Sequence, residues 1–179
     1  MRELIFLAVV GVFVTTLFGI ATYFILRARR LSRNAWVALL GRLRQIDRDN
    51  FAAVALDLLD EEDAQQQQLD PDSIFEMIGG MNGLSALEEN CDVLIDLATY
   101  VQKWYPEALL LAEDLRLNAR EIKWHIGRLR GASQTGHLRE QFPLYAQRAV
   151  ATYYLMTRSL LVLYEGVHLP EFNELQRAI

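Results

Sequence analysis

The sequence predicts an all-α protein: a single N-terminal transmembrane helix followed by a cytoplasmic bundle of four or five helices. Three observations carry that expectation. Residues Leu4 to Leu26 form an uncharged apolar run, the apolar residues beyond it recur at spacings of three and four, and no stretch alternates with period two over a strand's length. The implied division is an anchor with a basic flank over residues 1–30 and a helical domain over residues 31–179.

The apolar run comes first. It holds 23 residues, 18 of them apolar, with Tyr23 its sole ionisable side chain. As a helix it would extend roughly 34 Å, against a hydrocarbon core of about 30 Å, so it is long enough to span. A cleaved signal peptide is the competing reading, but such a segment has a shorter apolar region and ends in small residues. Here the run ends in Tyr23, Phe24, Ile25 and Leu26, followed by Arg27. Within it Gly11, Thr15 and Gly19 are four apart, a stripe of small residues that would let two helices approach closely in lipid, by self-association or against other membrane subunits.

Charge sets the expected orientation. Residues 27–48 carry seven Arg, among them Arg27, Arg29, Arg30 and Arg33, against the single acid Asp47. Positive flanks stay in the cytoplasm, so the sequence predicts a single-pass inner-membrane protein with its N-terminus outside and its domain inside, the four Arg facing lipid headgroups. The bacterial setting rests on Arg outnumbering Lys 16 to 2. The lone Cys91 excludes an intramolecular disulfide and fits a reducing compartment.

Beyond the flank the sign reverses. Between Asp49 and Gln102 there are 13 acidic residues and no Lys or Arg. An acidic body argues against nucleic acid, where affinity depends on neutralising phosphates. Its natural complement is a basic partner surface, with Asp60, Glu61, Glu62 and Asp63 as the most concentrated acidic group.

The helices follow in order. Trp36, Leu39, Leu40, Leu43 and Ile46 give an amphipathic stripe that continues from the anchor as a stalk. Phe51 to Leu59 reads as a short helix, and Asp60 to Asp70, with its four Gln, as a loop. Asp70-Pro71 supplies an N-cap and a first-turn Pro for a helix that Gly79-Gly80-Met81-Asn82-Gly83 ends in a turn. Leu84, Leu87, Cys91, Leu94, Ala98 and Val101 then form one seam, opposite Glu88, Glu89, Asp92 and Asp96. After Pro106 a second seam runs through Ala108, Ala112, Leu115, Ala119, Ile122, Ile126 and Leu129, ending in a polar loop over residues 131–136. A last long helix spans Pro143 to about Tyr164, with a short helix after Pro170.

That last long helix is apolar almost all round, with Arg158 its one formal charge between Ala149 and Tyr164, and therefore central to the bundle. The alternative is a docking face built from Tyr153, Tyr154, Leu161 and Tyr164. No arrangement points to catalysis, to a metal or to a cofactor. Glu165 and His168 match the Glu-x-x-His spacing of di-iron bundles but lack the second pair and the further Glu ligands. Glu121 and His125, four apart, read as a helix-surface ion pair. The function expected is thus a membrane-anchored, non-catalytic accessory or scaffold subunit whose partners are lipids and other membrane proteins. The alternative is a cofactor- or metal-carrying helical-bundle enzyme or electron-transfer subunit at the membrane face.

Overall fold

The computed structural model describes residues 15, 16, 18, 19, 22, 35–59 and 69–179. Two compact units divide the chain, Met1–Ala38 and Leu39–Ile179. In the first, the described residues are helical, and the Thr22 hydroxyl donates to the Phe18 carbonyl at 2.8 Å.

The second unit holds six helices among its described residues: α1 (Arg48–Leu59), α2 (Pro71–Ile78), α3 (Gly80–Gln102), α4 (Ala108–Thr135), α5 (Leu138–Gly166) and α6 (Phe172–Ala178). An all-helical fold is as expected, but the membrane helix is not. Among the described residues no helix is long and apolar enough to cross a membrane. The long helices α3, α4 and α5 each carry several charged side chains on the face away from the core, which a lipid environment would not solvate. The expected single-pass inner-membrane architecture is corrected accordingly, together with the N-out orientation and cytoplasmic placement inferred from it. Of the apolar run, Thr15, Thr16, Phe18, Gly19 and Thr22 are described. Gly11, Arg27, Arg29, Arg30 and Arg33 lie outside the described residues.

The expected stalk is also shorter than its apolar stripe. Helix covers residues 35–40, a turn follows in which Arg42 N–H bonds Leu39 O at 3.0 Å, and residues 43–47 are irregular. The physical reason is Asn90 on α3. Its carboxamide accepts from Arg44 N–H at 2.7 Å and donates to Arg44 O at 2.9 Å, taking both groups that a continuing helix would have used internally. Asp47 then restarts the chain as an N-cap, accepting from Asn50 N–H at 3.1 Å.

Asp70 caps α2 through Asp72 N–H, with Pro71 in the first turn, as the sequence predicts. The expected five-residue turn does not form. Gly79 and Gly80 turn the chain in the left-handed region (φ 75° and 59°), and α3 begins at Gly80. Gly83 is already inside α3, where a Cβ would lie 1.7 Å from Ile78 O. This glycine serves close helix approach rather than a loop. The loop expected over residues 131–136 is likewise helix up to Thr135, because Ala132 is buried and gives the last turn a core contact, and Gly136 (φ 78°) ends it. Helix α5 starts five residues before Pro143. In the second turn that proline forfeits one backbone bond without ending the helix.

Both predicted seams are buried in full, Leu84 through Val101 on α3 and Ala108 through Leu129 on α4. Helix α5 packs against α1, α2, α3, α4 and α6, the central position its uncharged surface requires. Helix α6 is fastened at its C-terminal end by Arg48, whose guanidinium donates to Gln176 O at 3.4 Å and to Arg177 O.

Candidate functional site

The acidic block is only partly available to a partner. Every acid on the outer face of α3 is paired inside the chain, from two sides. The segment before α1 supplies Arg42 to Asp96 and Arg44 to Glu89, each at 2.7 Å. Helix α4 supplies Lys123 to Asp92 at 2.8 Å and Arg130 to Glu88 at 2.6 Å. Hydrogen bonding to these carboxylates raises the pKa of Arg44 and Lys123. Such half-exposed pairs are screened by water and contribute little to stability. Their larger effect is to cancel four of the negative charges that the sequence leaves without a local partner.

The remaining described acids of the block between Asp49 and Gln102 lie on or beside α1 and α2. Asp57 accepts from Gln147 on α5 at 2.9 Å and from Leu69 N–H at 3.3 Å. Asp72 pairs with Arg139 at 2.5 Å, while Glu76 makes no ion pair among the described residues. Asp60, Glu61, Glu62 and Asp63 lie outside the described residues.

The expected docking face on α5 is mostly interior, which corrects that expectation. Tyr153 and Tyr164 are buried. Burial raises the pKa of the Tyr153 phenol, and the Tyr164 hydroxyl donates to Leu97 O at 3.3 Å. Tyr154 is half-buried and accepts from Arg158 at 3.2 Å, and Leu161 is also half-buried. The outward side chains of α5 are instead Leu144, Leu155 and Val162.

Glu165 and His168 do not share a helix face. His168 lies beyond α5 with φ 52°, exposed, its Nδ1 3.2 Å from Gly166 O. No group of three or more metal-ligating side chains occurs among the described residues. Cys91 is buried on its seam, and desolvation pushes its thiol up to about 12, so it stays neutral and unreactive at ordinary pH.

The pair at Glu121 and His125 is not the surface pair expected. His125 is 2% exposed, between the Trp124 ring at 5.0 Å and the Tyr145 ring of α5 at 5.7 Å. Its Nε2 lies 3.5 Å from Glu121 Oε1, and neither ring nitrogen has a hydrogen-bond partner among the described residues. Arg128 lies over both neighbouring rings, 6.0 Å from the Trp124 centroid and 5.8 Å from that of Tyr145. Helical spacing places His125 at the edge of the α4 seam, and only the approach of α5 covers it.

Trp124 belongs to a feature the sequence analysis passed over. Leu110, Leu117 and Trp124 are 73%, 59% and 56% exposed and follow one another at seven-residue intervals along α4. That interval places them on one line, opposite the buried seam. The seven-residue spacing is visible in the sequence, but the exposure of the line is a property of the fold. Trp124, Arg128 and Tyr145 end this line in residue types that dominate protein–protein contact energetics.

Compared with known protein families, curated proteins and solved structures, the chain has no match.

Proposed function

We propose that the protein is a non-catalytic scaffold or accessory subunit that holds another protein against the outer face of α4. The observation supporting this reading is the line of Leu110, Leu117 and Trp124, three large apolar side chains with most of their surface in solvent on a helix whose opposite face is fully packed. A second helix laid along α4 would cover all three, and the Trp124, Arg128 and Tyr145 group would anchor one end. Internal neutralisation of the α3 acids favours a contact of this apolar kind over one made by charge along α3.

A photo-reactive side chain at Leu117, introduced into the full chain in its native cell, tests the reading. One discrete protein adduct is expected, lost when Leu110 or Trp124 is replaced by Glu, with none from the exposed Glu174 on α6. A diffuse smear, or equal labelling from both positions, would refute it.

A further inference from the structure

At one end of the bundle, where α2 meets the start of α5, there is a cleft of about 400 Å³. Its walls are apolar: Pro71 and Phe75 from α2, Leu138 and Phe142 from α5. Two neighbours hold Phe75 in place. Phe142 lies against it with ring centroids 4.7 Å apart, and a Cβ on Gly80 would come within 2.7 Å of the ring, so only glycine leaves it room. Phe75 rests on these two neighbours while 43% exposed, so it presents an apolar surface to the cleft.

Charge specifies what would cover it. Helix α2 and its cap carry Asp70, Asp72 and Glu76 and no base. Arg139, beside the cleft, pairs with Asp72 and feels Asp70 as well. Asp72 and Arg139, the charged residues that line the cleft, pair with each other, and Asp70 and Glu76, next in sequence to the lining Pro71 and Phe75, leave two negative charges on α2 and its cap. Unlike the acids of α3, Asp70 and Glu76 make no ion pair among the described residues.

We propose that this cleft docks a basic segment of a partner protein. A large apolar side chain of that segment fills the space against Phe75, Leu138 and Phe142, and neighbouring Lys or Arg side chains meet the α2 carboxylates. An anionic amphiphile or an acidic peptide would be repelled by the same charges. The proposal rests on the scaffold reading but uses a surface separate from the Leu117 line, so each can fail without the other.

The probe is an 18-residue amphipathic peptide of Lys and Leu with one photo-reactive phenylalanine analogue on its apolar face, titrated into the full chain beside a Glu and Leu counterpart. Saturable one-to-one binding of the Lys peptide is expected, with cross-links at Phe75, Leu138 or Phe142. Phe75→Ala and Glu76→Gln should each weaken it, the former by about tenfold, and Leu117→Glu should not. Glu76→Gln changes an exposed side chain, so its effect is free of any folding defect in Phe75→Ala. Cross-links elsewhere, equal binding of the Glu peptide, or unchanged affinity in both variants would overturn the proposal. So would a second copy of the chain occupying the cleft, seen as self-association that the peptide competes away.

Discussion

Asn90 satisfies both backbone hydrogen-bonding groups of Arg44, accepting from its N–H at 2.7 Å and donating to its carbonyl at 2.9 Å across 46 residues of sequence. The side chain of Arg44 meanwhile reaches Glu89, the residue next to Asn90 on α3. One short contact thus fixes the irregular segment 43–47 to α3 through two bonds shielded from solvent and one ion pair exposed to it. The three are not equal in energy.

Asn90→Ala is expected to destabilise the protein by about 2–4 kcal/mol, since the amide is buried and its loss leaves both backbone groups of Arg44 without their partner. Glu89→Ala should cost under about 1 kcal/mol, as an exposed pair does. Urea denaturation of both variants decides the matter, and equal losses would mean that the ion pair holds the segment as firmly as the amide does.

Two glycines inside helices should respond oppositely to the same change. Gly83→Ala drives a methyl group into Ile78 O and should destabilise markedly, because that oxygen is backbone and cannot step aside. Gly131→Ala meets nothing within 4 Å and should stabilise by about 0.5–1 kcal/mol through helix propensity. Thermal melts followed by circular dichroism would show the difference in sign.

Leu94→Ala, on the buried α3 seam, should cost about 2–5 kcal/mol. Leu117→Ala, on the exposed line of α4, should change stability by less than about 0.5 kcal/mol. A large stability loss at Leu117 would show that the line belongs to the protein's own core.

Alkaline stability should carry the signature of Cys91. Burial holds the folded thiol neutral up to about pH 12, whereas the unfolded thiol ionises near its ordinary value of 9.0. The contribution is therefore complete below pH 9 and lost progressively as pH rises from there toward 12, at up to about 1.4 kcal/mol per pH unit. In Cys91→Ala this component disappears, so the gap in stability between the two proteins should narrow above pH 9. Iodoacetamide should label Cys91 in the native protein no faster than the protein opens.

The sequence by itself determined the helical class, both buried seams, the Asp70-Pro71 start of α2 and the short helix after Pro170, because helical periodicity and capping are local properties of consecutive residues. It also held the seven-residue line of Leu110, Leu117 and Trp124, legible by the same rule. Tertiary structure alone decided where helices end, as when Asn90 takes the backbone groups of Arg44 or when burial of Ala132 extends α4 by a last turn. It decided that Gly83 serves packing rather than a turn, that α5 covers His125, and that Tyr153 and Tyr164 face inward. It decided which acids stay uncancelled, since the bases that neutralise α3 come from 31 to 54 residues away. The reason is common to all of these: burial and electrostatics depend on what lies across the gap, and a residue's neighbours across a gap are not its neighbours in the chain.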